Sequence, residues 1–362
     1  MSIKAFLNRK KILWLIALLL LAIIKIFSLN KEAVELFYSS QIYVSFSKIL
    51  RFLFGWIPFS LGDILYLMAG AWLLWKFIKN IILVFKKQLR GKLLLKKILK
   101  LVLGSIFIYI IFNIFWGLNY NRKGITSQLE IKKTDIDTTD ILILQNILLQ
   151  KVNLSKVTLM HKRNPSSNKE IFERAQKCYI QTEKIYPFLH YKVPSLKSSL
   201  YGWLGNYLGF TGYYNPFTGE AQVNTNVPEF LQPYIATHEI AHQLGYAKEN
   251  EANFAGYLAA VNSTDTLFHY SCYLDLYMYA NYQIYYFDST ASKQSLALLM
   301  PEVKKDILEW KHFNLAHQSF IEPLITWMYG NYLKLNEQPK GMRSYNQVIS
   351  MLISYYKKFG RI

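Results

Sequence analysis

The sequence predicts a membrane-anchored α+β protein, with three N-terminal transmembrane helices followed by a mainly helical domain that carries a small β-sheet or hairpin. Three observations carry this. Apolar runs of spanning length lie within the first 121 residues. The basic excess gathers around those runs. From Arg122 onward, apolar positions recur at helical spacing and are interrupted midway by a Gly- and aromatic-rich stretch containing a turn signal.

The first span reads as residues 12–29, preceded by Lys4, Arg9, Lys10 and Lys11 and broken only by Lys25 near its far end, where a long side chain can snorkel to the interface. No small-x-small cleavage site follows, so the run reads as an uncleaved span. Residues 31–54 are amphipathic and aromatic, a composition suited to the membrane surface. The second span is expected over residues 61–85, with Asp63 placed to cap its start or else to face another polar group. A loop rich in Lys and Arg follows, and the third span is expected over residues 101–121, ending in the interface-type aromatics Trp116 and Tyr120.

The net charge of +19 is unevenly placed: residues 1–118 hold 17 Lys and Arg against three acids, and the remaining 244 residues hold 25 against 20. Basic residues flanking hydrophobic segments report topology, so the lipid bilayer is the expected partner and no nucleic acid is expected. Placing both basic clusters in the cytoplasm requires three crossings. The N-terminus is then cytoplasmic, and residues 122–362 form an extracytoplasmic domain. Cys178 and Cys272 are too few for a disulfide framework or a cysteine metal site, and read as buried thiols unless the fold brings them together.

The chemistry sits in Thr237-His238-Glu239-Ile240-Ala241-His242-Gln243-Leu244-Gly245. On a helix, His238 and His242 at i and i+4 share one face, at the separation that lets two imidazoles bind one Zn²⁺. Glu239 lies beside the ion, where a carboxylate can take a proton from water acidified by the metal. Gly245 suits the left-handed position that ends the helix. A His ten residues after the first would be one source of a third ligand, but that position is Lys248. Glu249 and Glu251 are both available. Glu251 is favoured because it opens the helical run Glu251-Ala252-Asn253-Phe254-Ala255 and resembles the Glu-Ala-Asp segment of gluzincin peptidases. Asn253 is then placed to hydrogen-bond a ligating His.

Residues 220–224, with Gln222, Val223 and Asn224 at their centre, read as a strand before the metal helix. As an edge strand it would pair with an extended substrate; as the inner strand of a hairpin it would not. Tyr213, Tyr214, His269 and Tyr345 are conceivable donors to a developing oxyanion, although packing is the ordinary role of an aromatic in a chain with 27 tyrosines.

Four segments together resemble one bacterial family, the domain-of-unknown-function 3810 group found mainly in Bacteroidetes. They are Pro58 to Asp63, Trp116 to Arg122, Gly209 to Ala221, and His238 to Gly245 with Glu251 to Phe254. The resemblance implies a bacterial inner-membrane protein with a gluzincin-like (zincin-like) periplasmic domain. On the gluzincin pattern His238, His242 and Glu251 would be the metal ligands and Glu239 the base. It brings no substrate. The combined expectation is a zinc-dependent metallopeptidase acting on a peptide or envelope-protein substrate. The alternative is a non-catalytic membrane adaptor whose zinc site is structural or vestigial.

Overall fold

Three helices of the computed structural model, which describes residues 3–88, 91–132, 134–161, 167–344 and 347–362, are long and apolar enough to cross a bilayer. They are α1 (Ile3–Leu29), α3 (Leu61–Phe85) and α4 (Gly91–Phe115), with apolar stretches Lys11–Leu29, Leu61–Phe85 and Leu93–Phe115. The third helix begins and ends earlier than the charge-free run suggests. Lysines of the expected loop occupy its first turns, and the chain leaves it at Phe115 for a 3₁₀ turn, Gly117–Asn121. Trp116 and Tyr120 are therefore not interface aromatics. They are buried at 7% and 2% exposure against the metal helix and the segment after α1.

That segment runs as Lys31–Ala33, the π-helical Val34–Ile42 and α2 (Tyr43–Phe54). It is amphipathic as expected. One face, with Tyr38, Tyr43 and Arg51, is buried against the rest of the protein, and the other exposes Phe37, Ile49 and Phe52. The division at residue 121 is thus softer than the sequence suggests, because residues 34–63 and 116–122 help to house the domain that follows.

The remaining elements are α5 (Thr138–Met160), α6 (Asn168–Thr182), β1 (Leu196–Ser198), α7 (Gly202–Leu208), β2 (Gly212–Asn215), β3 (Glu220–Val223), α8 (Gln232–Gln243), α9 (Glu249–Val261), α10 (Thr266–Phe287), α11 (Ser289–Ala297), α12 (Pro301–Ala316), α13 (Glu322–Leu335) and α14 (Gln347–Phe359). Local chemistry sets several starts. Asp137 and Asp140 form a reciprocal capping box at α5, and Asp265 caps α10. The core is built where α10 packs along α5 and α8 along α9. Its largest fully buried side chains include Tyr179, Phe254, Tyr257, Phe268, Tyr270 and Tyr277. Cys178 and Cys272 are both buried free thiols.

The sheet has the order β1-β3-β2, with β3 parallel to β1 and antiparallel to β2. Gln222 and Val223 therefore lie on the central strand, fully buried, and the expectation of a free edge at 220–224 is overturned. Asn224 follows the strand and braces the preceding loop through Asn206 Oδ1 and the Phe210 carbonyl. The edge next to the metal helix belongs to β2.

The start of α3 is locked to this sheet. Ser60, not Asp63, is the N-cap, its hydroxyl accepting from the Asp63 amide. Asp63 instead accepts from the Leu200 amide at 2.8 Å and the Tyr213 hydroxyl at 2.7 Å. The Glu220 carboxylate accepts from the amides of Leu61 (3.1 Å) and Gly62 (2.6 Å), an anion on a helix N-terminus whose first N–H groups have no partner within the helix. Glu220→Gln should destabilise the full chain in detergent by roughly 1–2 kcal/mol, read as a lower thermal midpoint. An unchanged midpoint would show that the charge is not what fastens α3 to the sheet.

Candidate metal centre

Helix α8 begins with Pro233 in its first turn, where the missing amide hydrogen is harmless, and carries His238 and His242 on one face with ring centroids 4.7 Å apart. Gly245 ends it at φ +86°, the left-handed conformation that its position in the sequence suggests. The last carbonyls of α8 have no partner within the helix. They are met by donors from the segments that adjoin the long apolar helices. Tyr43 donates to the carbonyls of His242 and Gln243, Arg51 to Gln243 at 3.0 Å, Trp116 to His242 at 3.4 Å, and Arg122 to Gly245 at 3.1 Å.

The second helix, α9, comes close enough to supply a ligand because of one glycine. A Cβ on Gly256 would lie 3.1 Å from the His238 amide nitrogen, backbone against side chain. With α9 held there, Glu249 faces the histidines: its Oε2 is 3.3 Å from His238 Nε2 and 3.5 Å from His242 Nε2. Asn253, one turn further on the same face, has Oδ1 2.7 Å from His238 Nδ1, as the sequence suggests. His242 Nδ1 is 2.8 Å from the Tyr246 carbonyl. With both Nδ1 atoms donating, both Nε2 atoms are left facing the Glu249 carboxylate, free to ligate once unprotonated.

The third member of the cluster is thus Glu249 and not Glu251. α9 starts two residues earlier than the run read from sequence, and two helical residues are separated by about 200° around the axis. Glu251 points to the linker instead. It packs against Gly124, whose φ is +85° and where a Cβ would come within 2.1 Å of its Oε1. Lys248 Nζ lies 3.9 Å from the same carboxylate, and burial holds the Glu251 pKa up. The same geometry explains why Glu251 and Asn253, two residues apart, could not both have faced His238.

The donor set fits a metal ion. Two ligand atoms at 2.0–2.1 Å from a tetrahedral ion are themselves about 3.3 Å apart, close to the spacings observed. Glu249 Oε2 is buried with no hydrogen-bond partner among the described residues. Its other oxygen, Oε1, accepts from Tyr329 at 2.7 Å. Burial opposes a charged Glu249, but the two imidazoles outweigh it and hold its carboxyl well below the usual carboxylate range. Burial likewise opposes a charged His242, yet Glu249 raises it to about 9. The cluster is built to hold a positive charge at the point where the three ligand atoms converge.

Glu239 lies beside the cluster. Burial pushes its pKa up to about 7, and Oε2 has no hydrogen-bond partner among the described residues. Gly212 of β2 faces it closely; a Cβ there would meet Glu239 Oε1 at 2.4 Å. All of these groups open on a cleft of ≈ 1020 Å³. Its walls include Gly212 and Tyr214 of β2, Asp275 of α10, and Tyr329 and Tyr332 of α13.

Of the four proposed oxyanion donors, Tyr213 is engaged by Asp63, Tyr214 lines the cleft and accepts from Tyr43, and Tyr345 lies outside the described residues. His269 is hydrogen-bonded to the Ser263 carbonyl and lines a different cavity. Sequence reading missed Tyr329 and Asp275. Asp275 lies near His238 and is pushed up to about 7 by burial. Neither has a spacing signal that relates it to the motif.

The assignment of Glu249 is directly testable. The full chain purified with Glu249→Gln should lose bound metal, whereas Glu251→Gln should keep near-stoichiometric metal. Asn253→Ala should weaken binding about 10- to 100-fold. Equal metal content in the Glu249 and Glu251 variants would overturn the assignment.

No curated protein and no solved structure matches the chain. The family described as "Protein of unknown function (DUF3810)" matches residues 38–353, a span that begins in the helical segment after α1 and runs past the metal helix into α14. The chain belongs to the DUF3810 family.

Proposed function

We propose that this chain is a membrane-anchored, zinc-dependent metallopeptidase with a gluzincin-like site, hydrolysing peptide bonds in polypeptides of the bacterial cell envelope. The observation that carries the reading is Glu239: a buried carboxylate on the cleft wall whose Oε2 has no hydrogen-bond partner among the described residues, next to a His238-His242-Glu249 cluster in which Glu249 Oε2 lies 3.3 and 3.5 Å from the two imidazole nitrogens. A zinc ion bound by those three residues would supply a Lewis acid and lower the pKa of nearby water.

The chain's own residues account for the rest. Glu239 takes the proton from the attacking water and returns it to the leaving amine; a base whose pKa burial has raised toward neutrality suits both transfers. Asn253 and the Tyr246 carbonyl fix the imidazole tautomers, and Tyr329 fixes the Glu249 carboxylate. β2, an edge strand of the sheet that lines the cleft beside Glu239, offers backbone groups to an extended substrate.

Topology follows from charge and geometry together. Segments adjoining the end of α1, the start of α3 and the end of α4 all pack against the domain that holds the cluster. The basic N-terminus and the basic stretch after α3 lie at the opposite ends of their helices. The positive-inside rule then puts the N-terminus in the cytoplasm of an inner-membrane protein and the cleft on the periplasmic side.

Glu239→Gln should retain metal and lose peptide hydrolysis by about 10²- to 10⁴-fold, measured on the full chain against a peptide library. Gly212→Ala should lower activity with metal retained, because the new methyl group displaces the Glu239 carboxylate. A Glu239→Gln variant that cleaves as fast as the parent sinks the mechanism and leaves the adaptor reading.

A further inference from the structure

Two helices beside the cleft present apolar side chains outward. In α13, Ile325, Tyr329 and Tyr332 line the cleft, while Leu324, Trp327 and Met328 are exposed on the adjoining face. In α7 and the residues before it, Leu200, Trp203 and Leu204 are exposed; Trp203 and Trp327 are 67% and 66% accessible. α7 and α13 pack against each other. Together they form a contiguous apolar surface of a kind that soluble proteins rarely leave bare.

Both helices are fastened to the ends of membrane spans. The Leu200 amide donates to Asp63 Oδ2 at 2.8 Å and the Tyr201 hydroxyl to the Asp63 carbonyl at 2.5 Å, both in the first turn of α3. Tyr332 of α13 bonds Tyr120, five residues past the end of α4, at 3.1 Å. These bonds place the apolar surface beside the outer ends of the spans, whose own sides also expose apolar residues. Tryptophan side chains at this level match the headgroup region, where an amphipathic ring is best accommodated.

We propose that the outward faces of α7 and α13 are immersed in the outer half of the bilayer that the spans cross, so that the cleft opens at the lipid surface and takes polypeptide segments held there by a lipid anchor or a membrane span. The substrate part rests on the peptidase reading; the membrane contact does not. Trp116 and Tyr120 line the cleft immediately after α4, so a chain emerging from the bilayer reaches His238 and Glu239 without crossing the bulk of the domain. A peptide free in solution has no such guidance.

The test uses the full chain in nanodiscs of phosphatidylethanolamine and phosphatidylglycerol. Nitroxide labels go on Leu204→Cys and Met328→Cys, with Leu298→Cys as control; Leu298 is also 67% exposed but follows α11, against α5. Cys178 and Cys272 are buried and do not compete for label. Labels at 204 and 328 should collide more with oxygen than with a water-soluble nickel chelate, and the label at 298 the reverse. If 204 and 328 are as open to nickel as 298, the immersion is wrong. If they are shielded from both reagents, a protein covers the face and the lipid assignment is equally wrong.

A second arm compares a peptide bearing a palmitoyl chain, presented on the nanodisc, with the same peptide in solution. The anchored form should be cut at least about tenfold faster, the gain expected from confining it near the cleft, and equal rates would overturn the substrate class. Cleavage of neither peptide would end the peptidase reading and with it the substrate class, while the label accessibilities would still decide the membrane contact.

Discussion

One carboxylate organises this structure. Glu249 is buried, its Oε2 has no hydrogen-bond donor, and two imidazole nitrogens face it at 3.3 and 3.5 Å. Removing a carboxylate from water costs several kcal/mol unless positive charge or good donors compensate. Here the compensation comes from the imidazoles and the Tyr329 hydroxyl. The close approach of α9 to α8 is eased at Gly256, where a side chain would press on the His238 backbone. Helix register then does the rest, placing Glu249 and Asn253 one turn apart on the face that meets His238.

The region of the three long apolar helices is part of the same construction. At the end of α8 the Gln243 carbonyl accepts from Tyr43 and Arg51, Trp116 adds a donor to the His242 carbonyl, and Arg122 donates to Gly245 just past the helix. Two of those donors are arginines, and positive charge at a helix C-terminus is favourable in its own right. Arg122 is in turn paired with Glu35 at 2.6 Å. Movement of the segments that join the spans would therefore be felt at His242, whose ring is 5.9 Å from that of Trp116. An anchor that merely held the domain near a surface would have no need of this coupling.

Much of this was legible in the sequence, and the failures have a common cause. His238, His242 and Asn253 stand where helical spacing puts them, and Gly245 ends the helix as its position implies. Span count and the mainly helical character followed from hydropathy and periodicity. Glu251 was misassigned because the start of α9 was read two residues late, and no strong cap marks it; Lys248 makes no side-chain cap. The strand at 220–224 was correctly placed before the metal helix, but a strand's rank within a sheet depends on partners distant in sequence, here Leu196–Ser198. The burial of Trp116 and Tyr120 was invisible for the same reason. An aromatic cluster after a span looks alike whether it meets lipid headgroups or protein.

Glu239 separates the competing accounts of the site most sharply. A structural metal centre is satisfied by its ligands and the groups that orient them, and here Asn253, Tyr246 and Tyr329 already do that. Glu239 orients none of them. Its Oε2 is buried without a donor, and burial raises its pKa to about 7, so its ionised form costs stability with no hydrogen bond to offset the loss. The strand opposite is held clear of it by a residue with no side chain, Gly212, as though space at that carboxylate mattered more than packing. On the proposed hydrolytic reading, a proton acceptor with room beside it, on the wall of a cleft lined by a strand edge, is the group that the water-activating step calls for, whereas the structural reading assigns it no task.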